Sequence, residues 1–232
     1  MSKQLWDGGA LLAPVPPVLV TCGTMEKSNV LTVGWTGIVN TIPPKTYISI
    51  RPERFSYPMI VEGGEFVINL PTIALTRAVD FCGVRSGRQL DKFAETGLTP
   101  LPAAKVNCPM LAQSPLSLEC RVFQQIELGS HTMFLADIVA VDVDENLIDK
   151  TGKLHLERAG LLAYAHGEYF ALGEKMGSFG FSVRKKPRRS PGANAPGTSA
   201  KPARKSCPAL QKTNSGKRKK PPKKNTKNPS KA

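Results

Sequence analysis

Two long alternating runs, 117–128 (SLECRVFQQIEL) and 131–145 (HTMFLADIVAVDVDE), stand on either side of Gly129-Ser130. A turn dipeptide between two runs of period two is the pattern of a β-hairpin. In the second run Phe134, Ala136, Ile138 and Ala140 alternate with Leu135, Asp137, Val139 and Val141, as expected of a strand with one well-buried face. Further strand-like runs precede the hairpin. Residues 18–24 (VLVTCGT) are β-branched and end at a polar turn, and 65–71 (EFVINLP) form a short apolar run. The runs 30–40 (VLTVGWTGIVN) and 46–52 (TYISIRP) are joined by Ile42-Pro43-Pro44-Lys45, a sequence no helix accommodates.

Helix is the minor component. Ser56-Tyr57-Pro58 reads as an N-cap with proline in the first turn, and Gly63-Gly64 stops that helix after about two turns. Residues 72–82 put Ala74, Leu75, Ala78, Val79 and Cys82 on one face, with Gly83 as the stop. Asp91-Lys92-Phe93-Ala94 supplies one more turn. Many strands, a few short helices and no βαβ alternation predict a mainly β, antiparallel barrel rather than a doubly wound sheet.

The formal charge of +14 excludes less than its size suggests, because of where it lies. Residues 187–232 hold 14 of the 32 Lys and Arg and no Asp or Glu, which leaves 18 basic against 18 acidic residues in 1–186. The C-terminal segment has one large aliphatic residue, Leu210, and no aromatic one, so it is expected to be a disordered basic tail beginning after Lys186. Its cations would attract nucleic acid or another polyanion without reading sequence; a solubilising extension is the alternative. The folded part, 1–186, is read as one domain. Five cysteines, with no CxxC pair and no histidine at metal-like spacing, suggest neither a disulfide framework nor a zinc site, and fit a reducing, cytoplasmic compartment. Pro14, Pro16 and Pro17 interrupt the apolar stretch 10–20, so no secretory signal is read there, and no run suits a membrane span.

Three segments carry candidate chemistry. Asn29–Gly37 offers the hydroxyls of Thr32 and Thr36, backbone amides, and two glycines that let the main chain approach a flat ligand; an ordinary strand with a glycine bulge and a core Trp35 is the alternative. Ser49–Ser56 brings Arg51 and Arg54 to a helix start, an anion site suited to a phosphate monoester, unless both arginines pair with Glu53 or face solvent. Ser86–Phe93 adds Lys92, a second candidate phosphate ligand or a solvated charge.

In order, these motifs are N-x-x-T-x-x-W, a Pro-Pro turn, S-x-R-P-x-R-x-S, G-x-F-V-x-N-L-P and S-G-R-x-x-D-K-F. Here they fall at Asn29–Trp35, Pro43-Pro44, Ser49–Ser56, Gly64–Pro71 and Ser86–Phe93. This series resembles the flavin reductase-like, FMN-binding split-barrel family, above all its flavoredoxin-type members. The later L-E-C (118–120) and G-S-H (129–131) fit its second half, and the resemblance spans about Pro14 to Val183. It implies a six-stranded Greek-key barrel, a homodimer, and FMN near the subunit interface. It places Thr32, Val33, Gly34 and Trp35 along the isoalloxazine, Arg51, Ser56 and Lys92 (beside Phe93) at the phosphate, and Asn29 as the residue orienting the loop. His131 stands where the family often has a polar residue near the flavin, or is a strand-start histidine in solvent. One departure is Tyr57, where relatives commonly have Ser or Thr, so that a phosphate hydroxyl is lost or replaced by a phenol.

The resemblance further implies that the flavin carries the chemistry, taking hydride from NADH or NADPH and passing electrons to a flavin, a metal complex or a redox protein, with no membrane partner. His155 and His166 have no neighbours that suggest catalysis and are read as structural. An electron carrier reduced by a protein partner is the competing function, and the sequence does not separate the two.

Overall fold

The single apolar run 30–40 does not form one strand. In the computed structural model, which describes residues 1–184, it divides at Gly34-Trp35 into β2 (Ser28–Val33) and β3 (Thr36–Thr41). β2 pairs with β1 (Val18–Gly23), while β3 pairs with β4 (Pro44–Ile50). The remaining strands are β5 (Glu65–Asn69), the two-residue β6 (Pro100–Leu101) and β7 (Met110–Leu111), the long β8 (Leu116–Glu127) and β9 (Thr132–Val143), and a small hairpin of β10 (Leu162–Ala165) and β11 (Glu168–Ala171). The main sheet runs β2-β1-β5-β8-β9-β4-β3, all antiparallel. Its two outermost strands are consecutive in sequence, so one chain segment belongs to both edges. Counted as that single crossing strand, β2 and β3 make the expected six-stranded barrel. The expected tail, its boundary near Lys186 and Cys207 lie outside the described residues. Residues Met1–Met176 form one unit; a second begins at Gly177 and includes a 3-10 turn, Phe181–Val183.

Alternate residues of six strands meet inside the barrel. Val18, Val20 and Cys22 of β1 pack with Leu31, Ile48, Phe66, Ile68, Cys120, Phe134 and Ala136, all buried. Phe134 and Ala136 are the inward residues that the alternation in 131–145 predicts. The opposite face of β1 and β2 carries Leu19 and Val30, covered by helix α2 (Thr76–Val84) through Ala78, Val79 and Cys82. β1 is therefore buried on both faces, which explains its near-continuous apolar sequence.

Two helix ends differ from expectation. Helix α1 (Ser56–Gly63) begins one residue too early for Ser56 to cap it: Phe55 holds the N-cap position without a side-chain bond, and the Ser56 hydroxyl turns to Asn29 instead. Gly83 lies inside α2 rather than after it, because the N–H of Arg85 still reaches the Phe81 carbonyl. A short α3 (Lys92–Thr96) follows, capped by Asp91, whose Oδ1 accepts from the Phe93 and Ala94 amides at 2.9 and 3.3 Å.

Buried polar groups tie the barrel to its loops. Asn69 is fully buried; its Nδ2 donates to the Leu19 carbonyl at 3.0 Å and its Oδ1 accepts from the Leu111 amide at 2.9 Å and the Ser117 hydroxyl at 2.8 Å. Glu119 is likewise buried and accepts from the amides of Ala104, Lys105 and Val106 at 2.7, 2.6 and 3.1 Å. Asp142, nearby on β9, has its Oδ2 buried without a donor. Burial first, then the neighbouring Glu119 carboxylate, hold the Asp142 carboxyl above the ordinary aspartate range.

A raised folded-state pKa means that the folded chain prefers Asp142 protonated. Its stabilising effect is complete below the unfolded pKa and is lost as pH rises through the folded one. Asp142→Asn should therefore gain stability relative to wild type between pH 4 and pH 7 in urea unfolding. Midpoints that keep a constant offset over that range would contradict this account.

Candidate functional site

Three chain segments converge beside Asn29 and Leu31 of β2. The first is the outer end of β2 itself. The second is the loop Arg51–Phe55 leading into α1, and the third is the loop 85–91 between α2 and α3. Between them lies a cavity of about 630 Å³ lined by Asn29, Arg51, Arg54, Ser56, Arg85, Arg88 and Lys92 among others. Five of its lining residues are cationic and only Glu53 is acidic. None of the four arginines forms an ion pair among the described residues, so Glu53 does not neutralise them. Guanidinium groups left without carboxylates around a concave wall form a site for a phosphate or similar anion.

Local bonds fix this wall. Asn29 Nδ2 donates to Ser56 Oγ at 2.6 Å, linking β2 to the start of α1. Arg54 Nη1 donates to the Gly83 carbonyl at 3.0 Å. Lys92 is only 4% exposed and spends two of its three N–H donors on the carbonyls of Val30 (2.8 Å) and Cys82 (2.9 Å). Burial lowers its pKa from the usual lysine value, and the Arg54 charge adds to the effect. One donor remains for a ligand, so Lys92 is first a tether between β2, α2 and α3. Gly87 forms the narrow part of the wall. A Cβ there would lie 2.4 Å from Asn29 Oδ1 and 2.7 Å from Phe55 Cδ1, closer than any side chain tolerates.

A second cavity, of about 380 Å³, shares Leu31, Arg51 and Arg54 with the first. Its other walls are Thr32, Val33, Gly34, Trp35, Ser49, Ile50 and His131. At Gly34 the backbone is bare: a Cβ would meet only Val15 Cγ2, at 3.8 Å, so a flat group can approach the main chain here. Trp35 is 38% exposed, and its carbonyl accepts from the Ser49 amide at 2.9 Å, holding the crossover against β4. His131 ends the β8–β9 turn, with Ser130 Oγ 2.9 Å from its Nδ1.

The structure thus gathers nine of the ten residues singled out from sequence into two adjoining cavities: Asn29, Arg51, Ser56 and Lys92 in one, and Thr32, Val33, Gly34, Trp35 and His131, again with Arg51, in the other. Phe93 lines neither; half-buried, it packs against the apolar cluster that α2 covers. The Thr32 hydroxyl donates to the Val79 carbonyl, and that of Thr36 donates to Tyr47, so neither is a free donor. Gly37 faces the Tyr47 ring rather than a cavity. The Tyr57 phenol does not stand in for a missing phosphate hydroxyl. It lies 3.2 Å from Thr132 Oγ1 with its ring edge-on to Phe134 at 5.5 Å, and is absent from the arginine cavity's walls. Sequence reasoning stops short of Arg85 and gives Arg88 no role; their only signal is the spacing R-x-x-R around Ser86-Gly87.

The other titratable groups are occupied elsewhere. His155 is clamped between Asp149 (2.8 Å) and Glu157 (2.9 Å), which raise its pKa and make it a loop brace. His166 occupies a left-handed turn position beside Gly167 in the β10–β11 hairpin. Burial pushes the Cys22 and Cys82 thiols up to about 11 and that of Cys108 to about 12, which keeps them protonated and unreactive. No helix among the described residues is long and apolar enough to cross a membrane.

Comparison with known proteins places these cavities in context. Residues 11–173 match the flavin reductase like domain. An uncharacterized protein of Archaeoglobus fulgidus is 35% identical over 130 residues, covering 56% of this chain and 73% of that protein. The flavoredoxin of Desulfovibrio vulgaris (Miyazaki F) is similar in structure at a TM-score of 0.73 and 31% identity, over 79% of this chain and all of that one. A split barrel domain protein from Shewanella frigidimarina is alike in fold, with a TM-score of 0.64 at 21% identity over 71% of this chain and 85% of the other.

The arginine wall makes a direct prediction. Inorganic phosphate at ten times its dissociation constant should raise the thermal midpoint by about 3–6 °C above chloride of equal ionic strength. The double variant Arg51→Ala/Arg88→Ala should lose that gain. Equal protection of wild type and variant would remove the arginines from the anion site.

Proposed function

Because this chain belongs to the flavin reductase-like family, we propose that its two joined cavities hold FMN and that it is a flavin-dependent oxidoreductase drawing electrons from NADH or NADPH. The observation that carries the reading is the pairing itself: a wall of arginines without carboxylate partners opens onto a cavity with bare backbone at Gly34. That pair matches a molecule with a phosphate at one end and a flat heteroaromatic ring at the other.

In this reading Arg51 and Arg54, which line both cavities, meet the phosphate at the junction, with Arg85 and Arg88 closing its outer side. Asn29 and Ser56, bonded to each other, keep β2 and α1 at the spacing the phosphate needs. Thr32 to Trp35 present main chain to the ring's edge. His131, with Nδ1 engaged by Ser130, leaves Nε2 as the nitrogen available to a ligand. Bound FMN supplies the redox chemistry; the protein binds it, orients it and leaves one side open to a reaction partner. No side chain is asked to act as acid or base. The acceptor is a second flavin, a metal complex or a redox protein.

A second reading draws on the 31% identity to a flavoredoxin: an FMN electron carrier that is reduced by a protein partner and does not bind a nicotinamide. We also propose a homodimer, since Ile38 (61% exposed) and Ile42 (90%) leave apolar surface uncovered at the β3–β4 edge.

The test is reconstitution of the purified protein with FMN and with riboflavin. FMN should bind at least about ten-fold more tightly, the contribution of one charge-assisted contact set of about 1.4 kcal/mol. Arg51→Ala should narrow that ratio. Anaerobic bleaching by NADH or NADPH supports the reductase; bleaching by dithionite alone supports the carrier. A protein that takes up neither flavin sinks both.

A further inference from the structure

Trp35 lines a second cavity besides the ring cavity. This one, of about 400 Å³, lies between residues 10–15 and the β10–β11 hairpin. Val15 lines it too, and Val15 is the residue that a Cβ on Gly34 would meet at 3.8 Å. The space therefore adjoins the place proposed above for the flavin ring, a reading on which the redox role given below rests.

Its walls are uncharged and held in place. Leu11, Leu12, Val15, Trp35, Tyr164 and His166 are among the lining residues, and no Asp, Glu, Lys or Arg takes part. Val15 and Tyr164 exchange both backbone hydrogen bonds, each at 2.9 Å. The Tyr164 ring leans on that of Tyr169 at 5.3 Å, and the Tyr169 hydroxyl donates to Asp80 at 3.2 Å. No hydrogen bond among the described residues engages the Tyr164 hydroxyl or the His166 imidazole. His166 is also a residue that its turn does not ask for. It precedes Gly167 in a two-residue hairpin loop with positive φ at both positions, 48° and 91°. Asn, Asp or Gly ordinarily holds the first of these, and His166 is the one non-glycine residue with positive φ among the described residues. A residue kept in a strained conformation at a cavity wall, with its side chain unspent, is the pattern of a functional contact.

We infer that this cavity is a binding site for a quinone. Aliphatic and aromatic walls suit a flat ring, and a lining without charged carboxylates or cations of Lys or Arg selects an uncharged one. The Tyr164 hydroxyl and an imidazole N–H of His166 are two unspent donors, which match two carbonyl oxygens on a ring with no donor of its own. Next to the flavin's place, such a ligand adds a class to the acceptors named above. Reduction of a quinone to its quinol takes two electrons and two protons. A nicotinamide supplies both electrons and one proton as hydride, and solvent supplies the second proton.

The probe is duroquinone, whose fully substituted ring does not add thiols, titrated by calorimetry into full-length, flavin-free protein. Wild type should bind it. Ala10 lines this cavity and none of the other four, so Ala10→Trp should fill it and weaken binding at least ten-fold. Tyr164→Phe and His166→Gly should each weaken binding about five-fold, the worth of one hydrogen bond. His166→Gly should do so without lowering the thermal midpoint, because glycine relieves the turn. A histidine that serves only the turn predicts the reverse, a lower midpoint and unchanged binding. FMN affinity should stay within two-fold in all three variants. In FMN-loaded protein reduced anaerobically, Ala10→Trp should slow reoxidation by duroquinone at least ten-fold and leave reoxidation by ferricyanide unchanged. The inference is overturned if wild type does not bind duroquinone, if no variant weakens binding, or if Ala10→Trp leaves reoxidation by duroquinone unchanged. Duroquinone binding in a protein that takes up no flavin would overturn the flavin reading and leave the site standing without its redox role.

Discussion

The crossing at Gly34-Trp35 is the constraint on which the rest of the molecule depends. One strand supplies both edges of the sheet, so the barrel closes through covalent connection rather than through edge-to-edge pairing alone. The backbone must leave β1 and join β4 within two residues, and the Ser49 amide bonded to the Trp35 carbonyl secures the landing. The break that closes the barrel also leaves main chain without a strand partner on one side. That bare backbone is the wall of the ring cavity. Architecture and site are here the same feature, which is why a glycine, Gly34, occurs where a core strand would ordinarily carry Val or Ile.

The arginine wall depends on a second arrangement, a set of buried polar tethers behind it. Lys92 binds carbonyls of β2 and α2, Arg54 binds the carbonyl of Gly83, and Asn29 binds Ser56. Each of these residues has a polar or charged end that looks like a ligand donor in sequence, yet much of that capacity is spent on protein. The residues with unspent charge are Arg51, Arg85 and Arg88, which line the same cavity. This division of labour keeps several like charges close together before any anion arrives, at a cost in repulsion that an anion would relieve.

Much of this was legible in the sequence, for physical reasons that differ by element. The β8–β9 hairpin could be read because period-two alternation and a turn dipeptide both depend on local geometry. Asn29, Arg51 and Ser56 could be read because the motifs that hold them recur in a family. What escaped notice depends on distant partners. The split of the run 30–40 is set by which strand each half pairs with, and its sequence is continuously β-forming. Ser56 looks like a helix cap until Asn29 competes for its hydroxyl. Phe93 sits in the same motif as Lys92, but α3 leaves it half-buried against the cluster that α2 covers. Arg85 becomes visible only when the loop 85–91 is laid beside the start of α1.

The central claim is that the two joined cavities hold one flavin mononucleotide, with its phosphate at the arginines. A crystal structure of the protein grown with FMN tests it most directly. The account predicts density for the phosphate among Arg51, Arg54, Arg85 and Arg88, and for the ring along Thr32 to Trp35. Ring density elsewhere, or a phosphate held away from these arginines, would contradict it.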